Sequence, residues 1–229
     1  DFIMSFTTAD VVKLRKATGA GMMDCKNALK DAEGDFDRAL EIIREKGKLI
    51  ANKRADREAS EGAALAKVTE DNKFGAIVVL NCETDFVAKN ENFVAFADGI
   101  LQVALANKAE SLDALKAMDL DGRTVEAQVT EQTGVIGEKL ELSYYKSLSA
   151  ESVAGYIHPG NKLATIVGFN KVDVAAEVKK DVAMQVAAMA PVAVDKDAIP
   201  QDVIEKEIEI AKEKFRQEGK PEAMLDKIA

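Results

Sequence analysis

The chain has 229 residues, of which 47% are apolar and 31% charged, with 40 acidic against 31 basic side chains and a formal net charge of −9. The apolar share is ample for a packed core. The acidic excess excludes a protein whose affinity comes from clustered Lys and Arg on phosphates, so no direct nucleic-acid partner is expected.

In chain order, Asp1-Phe2-Ile3 precede a methionine and are set aside as an expression remnant. Thr8 is the expected N-cap of a first helix with Val11, Val12 and Leu14 on one face, broken by Thr18-Gly19-Ala20-Gly21. A second helix starts at Met22 and ends near Gly34. Asp35 caps a third, with Phe36, Ala39, Leu40 and Ile43 at helical spacing. Residues 4–46 thus read as a three-helix module. Residues 47–58, rich in Lys and Arg, read as a linker that is helical at its start and lets the module move separately.

The period then changes. Ala64, Ala66 and Val68 alternate, Glu70-Asp71-Asn72-Lys73 turns the chain, and Phe74–Asn81 returns as an apolar strand. After NCETDFVAKNENF (Asn81–Phe93), the residues Phe93, Phe96, Ala97, Ile100, Leu101 and Ala104 trace a helix laid on a sheet, with Asn90 its expected N-cap. Ser111 caps a short helix, and Val125, Val129 and Ile136 point to another running to Gly137. Leu140, Leu142 and Tyr144 alternate as a strand, as do Val153, Gly155 and Ile157. Pro159-Gly160-Asn161 turns into a return strand over Leu163–Phe169. A helix from Asp173 to Ala190 places Val174, Val178, Val182, Val186 and Met189 on one side. Ile204, Ile208, Ala211 and Phe215 form a last stripe before Gly219 and Pro221. The chain ends within an amphipathic pattern, an expectation of further sequence in the natural protein. The fold class is α+β, with the module followed by a core of antiparallel strands and helices divided into subdomains over 59–147 and 148–229.

Strand, turn, apolar strand and long helix occur twice in this core. The second unit joins strand to helix across Asn170–Asp173, about four residues and a usual length. The first inserts CETDFVAKN, and an extension the fold does not need is expected to reach outward. On pattern alone Phe86 lies two helical turns before Phe93 and belongs to the same buried stripe. A restart of the helix at Asn90 would break that register.

Enzymatic readings are thin. Glu83 and Asp85 could be imagined as an acid/base pair, but no pocket-forming motif or metal ligand accompanies them, and Asp85 is most simply a helix-start acid. A Cys82/His158 nucleophile pair lacks an orienting acid. Two distant cysteines and a single histidine give neither a disulfide framework nor a zinc site. No GxxxxGK[ST] or GxGxxG occurs, so no nucleotide or other cofactor is expected on this chain. No segment approaches the roughly 20 apolar residues of a membrane span, and no signal-peptide pattern opens the chain, which reads as cytoplasmic. Met22 and Met23 are adjacent on a helix, so they cannot both face one core and one should be exposed.

The strings TGAGMMDCKNAL (Thr18–Leu29) and NCETDFVAKNENF, in that order, closely resemble the bacterial elongation factor Ts family, the guanine-nucleotide exchange factors for elongation factor Tu. The resemblance runs from Met4 to the end. It implies a ubiquitin-associated-like N-terminal module and a two-subdomain core. It also implies that the protein performs no bond chemistry but accelerates GDP release from elongation factor Tu. Asp85 and Phe86, flanked by Thr84 and Val87, would be the main contact, with the phenyl ring driven between helices of the GTPase. Ile136 and Gly137 in TGVIGEKL and His158 in GYIHPG match further contact positions. Arg15, Met22, Met23 and Lys26 match the module's contact surface. Two departures stand out: Gln185 in AMQVAAM replaces a histidine common in related proteins, and the family continues with further core strands and a helical projection. An adaptor whose module binds ubiquitin-like or other small partners is the alternative reading.

Overall fold

The computed structural model describes residues 6–229, so the expectations resting on the first five residues lie outside it. Three helices open the described chain: α1 (Thr8–Thr18), α2 (Met22–Asp31) and α3 (Phe36–Lys53). Thr7, not Thr8, is the N-cap of α1. It forms a capping box in which Asp10 N donates to Thr7 Oγ1 and Thr7 N donates to Asp10 Oδ2. Asp35 caps α3 as expected, accepting from Arg38 N at 2.9 Å. Val11, Leu14, Cys25, Ala28, Leu29 and Ala39 close a core between the three helices. Met22 and Met23 are both exposed, because Cys25, Ala28 and Leu29 take the inward side of α2.

The segment read as a linker is helical through Lys53. In that segment Gly47 lies against the backbone of a later helix and Arg54 pairs with Glu83, so contacts other than an apolar stripe hold it.

The core begins with the hairpin β1 (Glu61–Val68) and β2 (Phe74–Cys82). A single helical turn, α4 (Asp85–Ala88), precedes α5 (Glu91–Asn107), α6 (Leu112–Ala117), the two-residue strands β3 (Asp119–Leu120) and β4 (Arg123–Thr124), and α7 (Val125–Ile136). Strand β5 (Glu141–Ser149) returns antiparallel to β2, giving the order β1-β2-β5. Phe93, Ala97, Ile100, Leu101 and Ala104 of α5 press on Ala63, Leu65, Val78 and Leu80 of the sheet. Each fully buried large side chain there contributes about 1.5–3 kcal/mol. The second hairpin, β6 (Ser152–Ile157) and β7 (Ala164–Phe169), is followed by α8 (Ala176–Met189). Ala183 is the buried residue of α8, flanked by half-buried Val182 and Val186 of the expected line, whereas Val178 and Met189 of that line are exposed. Helices α9 (Gln201–Gln217) and α10 (Glu222–Ile228) complete the chain, with Leu225 buried. The chain divides into two compact units, the first up to Ala187 and the second Ala188–Ala229. No described helix is long and apolar enough to cross a membrane.

Candidate functional site

Between Cys82 and Glu91 the chain makes two helix starts in quick succession. Thr84 caps α4, its hydroxyl accepting from Val87 N, and Asn90 caps α5, its Oδ1 accepting from Asn92 N at 2.9 Å and Phe93 N at 3.3 Å. The second cap stops α4 after one turn and resets the helical phase. Phe93 is therefore 1% exposed in the core, whereas Phe86 is 83% exposed. The expectation from pattern alone that Phe86 joins the buried stripe is overturned, and the Asn90 restart is the reason. Measured on the structure, residues 83–90 separate β2 from α5 and residues 170–175 separate β7 from α8. The two connections differ less in length than the sequence indicated, and the distinguishing feature of the first is that it is folded.

The folding is enforced by side chains distant in sequence. The backbone N–H groups of Glu83 and Thr84 donate to Glu138 Oε2 at 3.1 and 3.0 Å, and Thr84 Oγ1 donates to Glu138 Oε1 at 2.6 Å. Glu83 in turn accepts from Arg54 Nη1 at 2.8 and 3.0 Å and from Lys139 N at 2.6 Å. Lys139 Nζ donates to the carbonyls of Ala55 and Arg57 at 2.8 and 3.0 Å. Three segments meet in this clamp: the exit of α3, the α4 elbow, and the strand-ward turn after α7. Charged hydrogen bonds of this kind, partly shielded from water, are the stronger class.

Ile136 ends α7 and Gly137 opens that last turn. Gly137, in the left-handed region with φ 80°, closes α7 by donating to Thr133 O. Phe86, Val87, Gln132, Val135, Ile136 and Gly19 line an open groove of about 540 Å³. The structure thus brings Phe86, Val87 and Ile136 together, beside the loop that follows α1. His158 is exposed, its Nδ1 2.8 Å from Tyr156 Oη. Its turn is tied to the same end of the sheet, since Ala64 N donates to Asn161 O at 2.8 Å and Lys162 pairs with Glu61, the strand partner of Cys82. Arg15, Met22, Met23 and Lys26 are all exposed on the module.

The charges of the elbow do not form an acid/base pair. Asp85 accepts from Lys89 Nζ at 2.7 Å, and that hydrogen bond holds its carboxyl below the ordinary range. Glu83 is lowered first by the Lys139 amide and then by the Arg54 guanidinium. Both are carboxylates with cationic or amide partners, unsuited to hold a proton near neutrality. Cys82 is buried, its thiol donates to Thr84 O at 3.2 Å, and burial followed by the nearby Glu138 charge pushes its pKa up to about 11. A buried thiol held protonated is poorly placed to act as a nucleophile. Among the described residues no cluster of three or more His, Cys, Asp or Glu is placed to hold a metal ion. Sequence reasoning missed Glu138, Arg54 and Lys139; the only signal was a Glu-Lys pair directly after a helix-ending glycine.

Fold and site define an α+β protein whose conspicuous feature is a displayed aromatic on a clamped helical turn. Residues 83–229, starting at the elbow itself, match the family model described as Elongation factor TS. Elongation factor Ts of Christiangramia forsetii is 57% identical over 97% of this chain and 81% of its own. Those of Azobacteroides pseudotrichonymphae and Amoebophilus asiaticus are 53% and 51% identical, over 98% and 99% of this chain and 81% and 82% of theirs. The chain belongs to the elongation factor Ts family.

Proposed function

We propose that this protein acts in cytoplasmic translation by binding elongation factor Tu·GDP and accelerating release of GDP, so that GTP can replace it. The observation that carries the reading is the 83% exposure of Phe86 on a turn held by Glu138 and Thr84. An exposed aromatic on a pre-organised support loses little entropy on binding and concentrates affinity in one residue.

The action is a coupling of two equilibria. The factor makes and breaks no bond; it binds the nucleotide-free GTPase more tightly than the nucleotide-bound form, so nucleotide weakens the factor's binding by the same ratio. Phe86 enters a pocket between helices of the partner that is open only in the nucleotide-free arrangement, which shifts the partner's population toward that state. Asp85, Ile136, Gly137 and His158 add contacts around it, and Arg15, Met22, Met23 and Lys26 supply those of the module. GDP and its magnesium belong to the partner. An adaptor built on the module alone would use Met22 and Met23 but leave the displayed Phe86 without a task.

Stopped-flow release of fluorescent GDP from elongation factor Tu tests the proposal. Micromolar factor should speed release by orders of magnitude, and unchanged release with an intact chain overturns it.

A further inference from the structure

We infer that Glu138 is a positioning residue for nucleotide exchange: its carboxylate fixes the first turn of the elbow, and through Glu83 and Arg54 ties the elbow's setting to the exit of the N-terminal module. The inference rests on the exchange reading above and adds to it the device that aims Phe86.

The geometry is specific. A one-turn helix cannot hold itself, because nucleation fixes several dihedral angles for a single hydrogen bond. Helix α4 has four residues, and its free N-terminal amides need acceptors. Thr84 Oγ1 serves Val87 N at 3.4 Å, a long bond. The hydroxyl that makes it is itself oriented by donating to Glu138 Oε1 at 2.6 Å. Glu138 Oε2 takes the two preceding amides, Glu83 N and Thr84 N. One side chain thereby fixes the peptide planes on which the direction of the Asp85–Phe86 segment depends.

Glu138 follows Ile136 and Gly137 directly, so this contact also sets the distance between the two sections of the candidate interface. The adjoining Lys139 amide and Arg54 converge on Glu83. Arg54 is the C-cap residue of α3. A displacement of α3 is thus transmitted to Glu83, one residue before the Thr84 cap. The half-buried setting of the Arg54–Glu83 pair, with side chains 34% and 17% exposed, keeps it from being the freely solvated pair that contributes little.

The test uses the full chain with Glu138→Ala, Glu138→Asp and Glu138→Gln, each alone and with Phe86→Ala, in fluorescent GDP release from elongation factor Tu at saturating factor. Glu138→Ala should lower the saturating rate about tenfold, as misplacement of a positioned group does. Glu138→Asp, which withdraws the oxygens by about 1.5 Å while keeping charge, should lower it in the same direction and keeps the question open to test if the alanine variant folds poorly. Glu138→Gln retains an oxygen for the two amides and should stay within about threefold of the parent.

In the Phe86→Ala background, Glu138→Ala should add less than about twofold, because coupled residues are non-additive. Equal fold losses in both backgrounds would mean a general structural role and overturn the inference, as would a parental rate for Glu138→Ala. Amide hydrogen exchange on the free protein separates the two layers. Faster exchange at Glu83 and Thr84 in Glu138→Ala supports the clamp, and unchanged exchange there overturns it. Failure of the parent chain to accelerate GDP release removes the exchange reading while leaving that amide result to be read by itself.

Discussion

Gly134 of α7 meets Gly47 of α3 backbone to backbone: a Cβ on Gly134 would stand 2.2 Å from the Gly47 Cα. The reverse is not true, since a Cβ on Gly47 finds its nearest atoms, the backbone of Glu131, at 3.7 Å. Glu131 beside them takes Arg44 of α3 at 3.5 Å on one oxygen and Arg123 on the other. The module is seated by this crossing.

The asymmetry predicts opposite outcomes for two identical substitutions. Gly134→Ala gains about 1 kcal/mol of helix propensity but cannot be accommodated without separating α3 from α7, so it should destabilise by about 1–2 kcal/mol net. Gly47→Ala meets only ordinary contact and should stabilise by about 0.5–1 kcal/mol. Denaturant midpoints for the two variants check the pair, and equal signs would refute the packing described.

Phe86→Ala removes a side chain that is 83% exposed, so its melting temperature should match the parent's, within about 0.5 kcal/mol in stability. Its effect should fall on the partner instead, costing about 2 kcal/mol or more in acceleration of GDP release, the range of an interfacial aromatic anchor. Phe93→Ala is the control, since that ring is in the core and its loss should cost about 3–5 kcal/mol of stability. Calorimetry on both, with release kinetics on the first, separates display from packing. A large melting loss for Phe86→Ala would place it in the core after all.

Much of this arrangement was readable before the structure. Periodicity located the three helices of the module, the β1–β2 hairpin and the sheet-facing residues of α5, because each depends on neighbours within one turn or one pleat. The Asn90 cap was legible for the same reason, and it decides the exposure of Phe86. What could not be read is what joins segments far apart. Glu138 and the elbow are 54 and 55 positions apart; Gly47 reads as the start of a linker until Gly134 is found opposite it. Adjacency on a helix required only one exposed methionine; that both are exposed depends on Cys25, Ala28 and Leu29 taking the inward side of α2.

The Glu83 carboxyl predicts a specific acid sensitivity. Its folded pKa lies below the ordinary 4.5, held there by the Lys139 amide and Arg54. The unfolded chain therefore binds the proton more tightly than the folded one. The stability this group contributes is full above pH about 4.5 and is lost as pH falls through the lower folded value. Glu83→Gln should melt lower than the parent at pH 7, and the gap should shrink as pH falls below about 4.5. Melting curves across that range check it, and a gap that stays constant would show that the charge of Glu83 does not bear on stability.

Both thiols should be inert in the folded protein, because burial both hides them and disfavours their ionisation. Cys25 and Cys82 are each 0% exposed, and burial raises both pKa values, that of Cys82 to about 11. A thiol must be both reached and ionised to react, so at pH 8 an aromatic disulfide reagent should titrate neither cysteine on mixing. Reaction should then follow opening of the structure, at least about a thousandfold slower than a free thiol. The two sites should open differently. Cys25 sits in the small three-helix core and Cys82 at the end of the central strand β2, beneath the Glu138 clamp. Labelling followed by mass analysis should find Cys25 modified first, because a smaller core opens at lower free energy. Cys82 reacting first would show instead that the elbow, and not the module, is the least stable part of the fold.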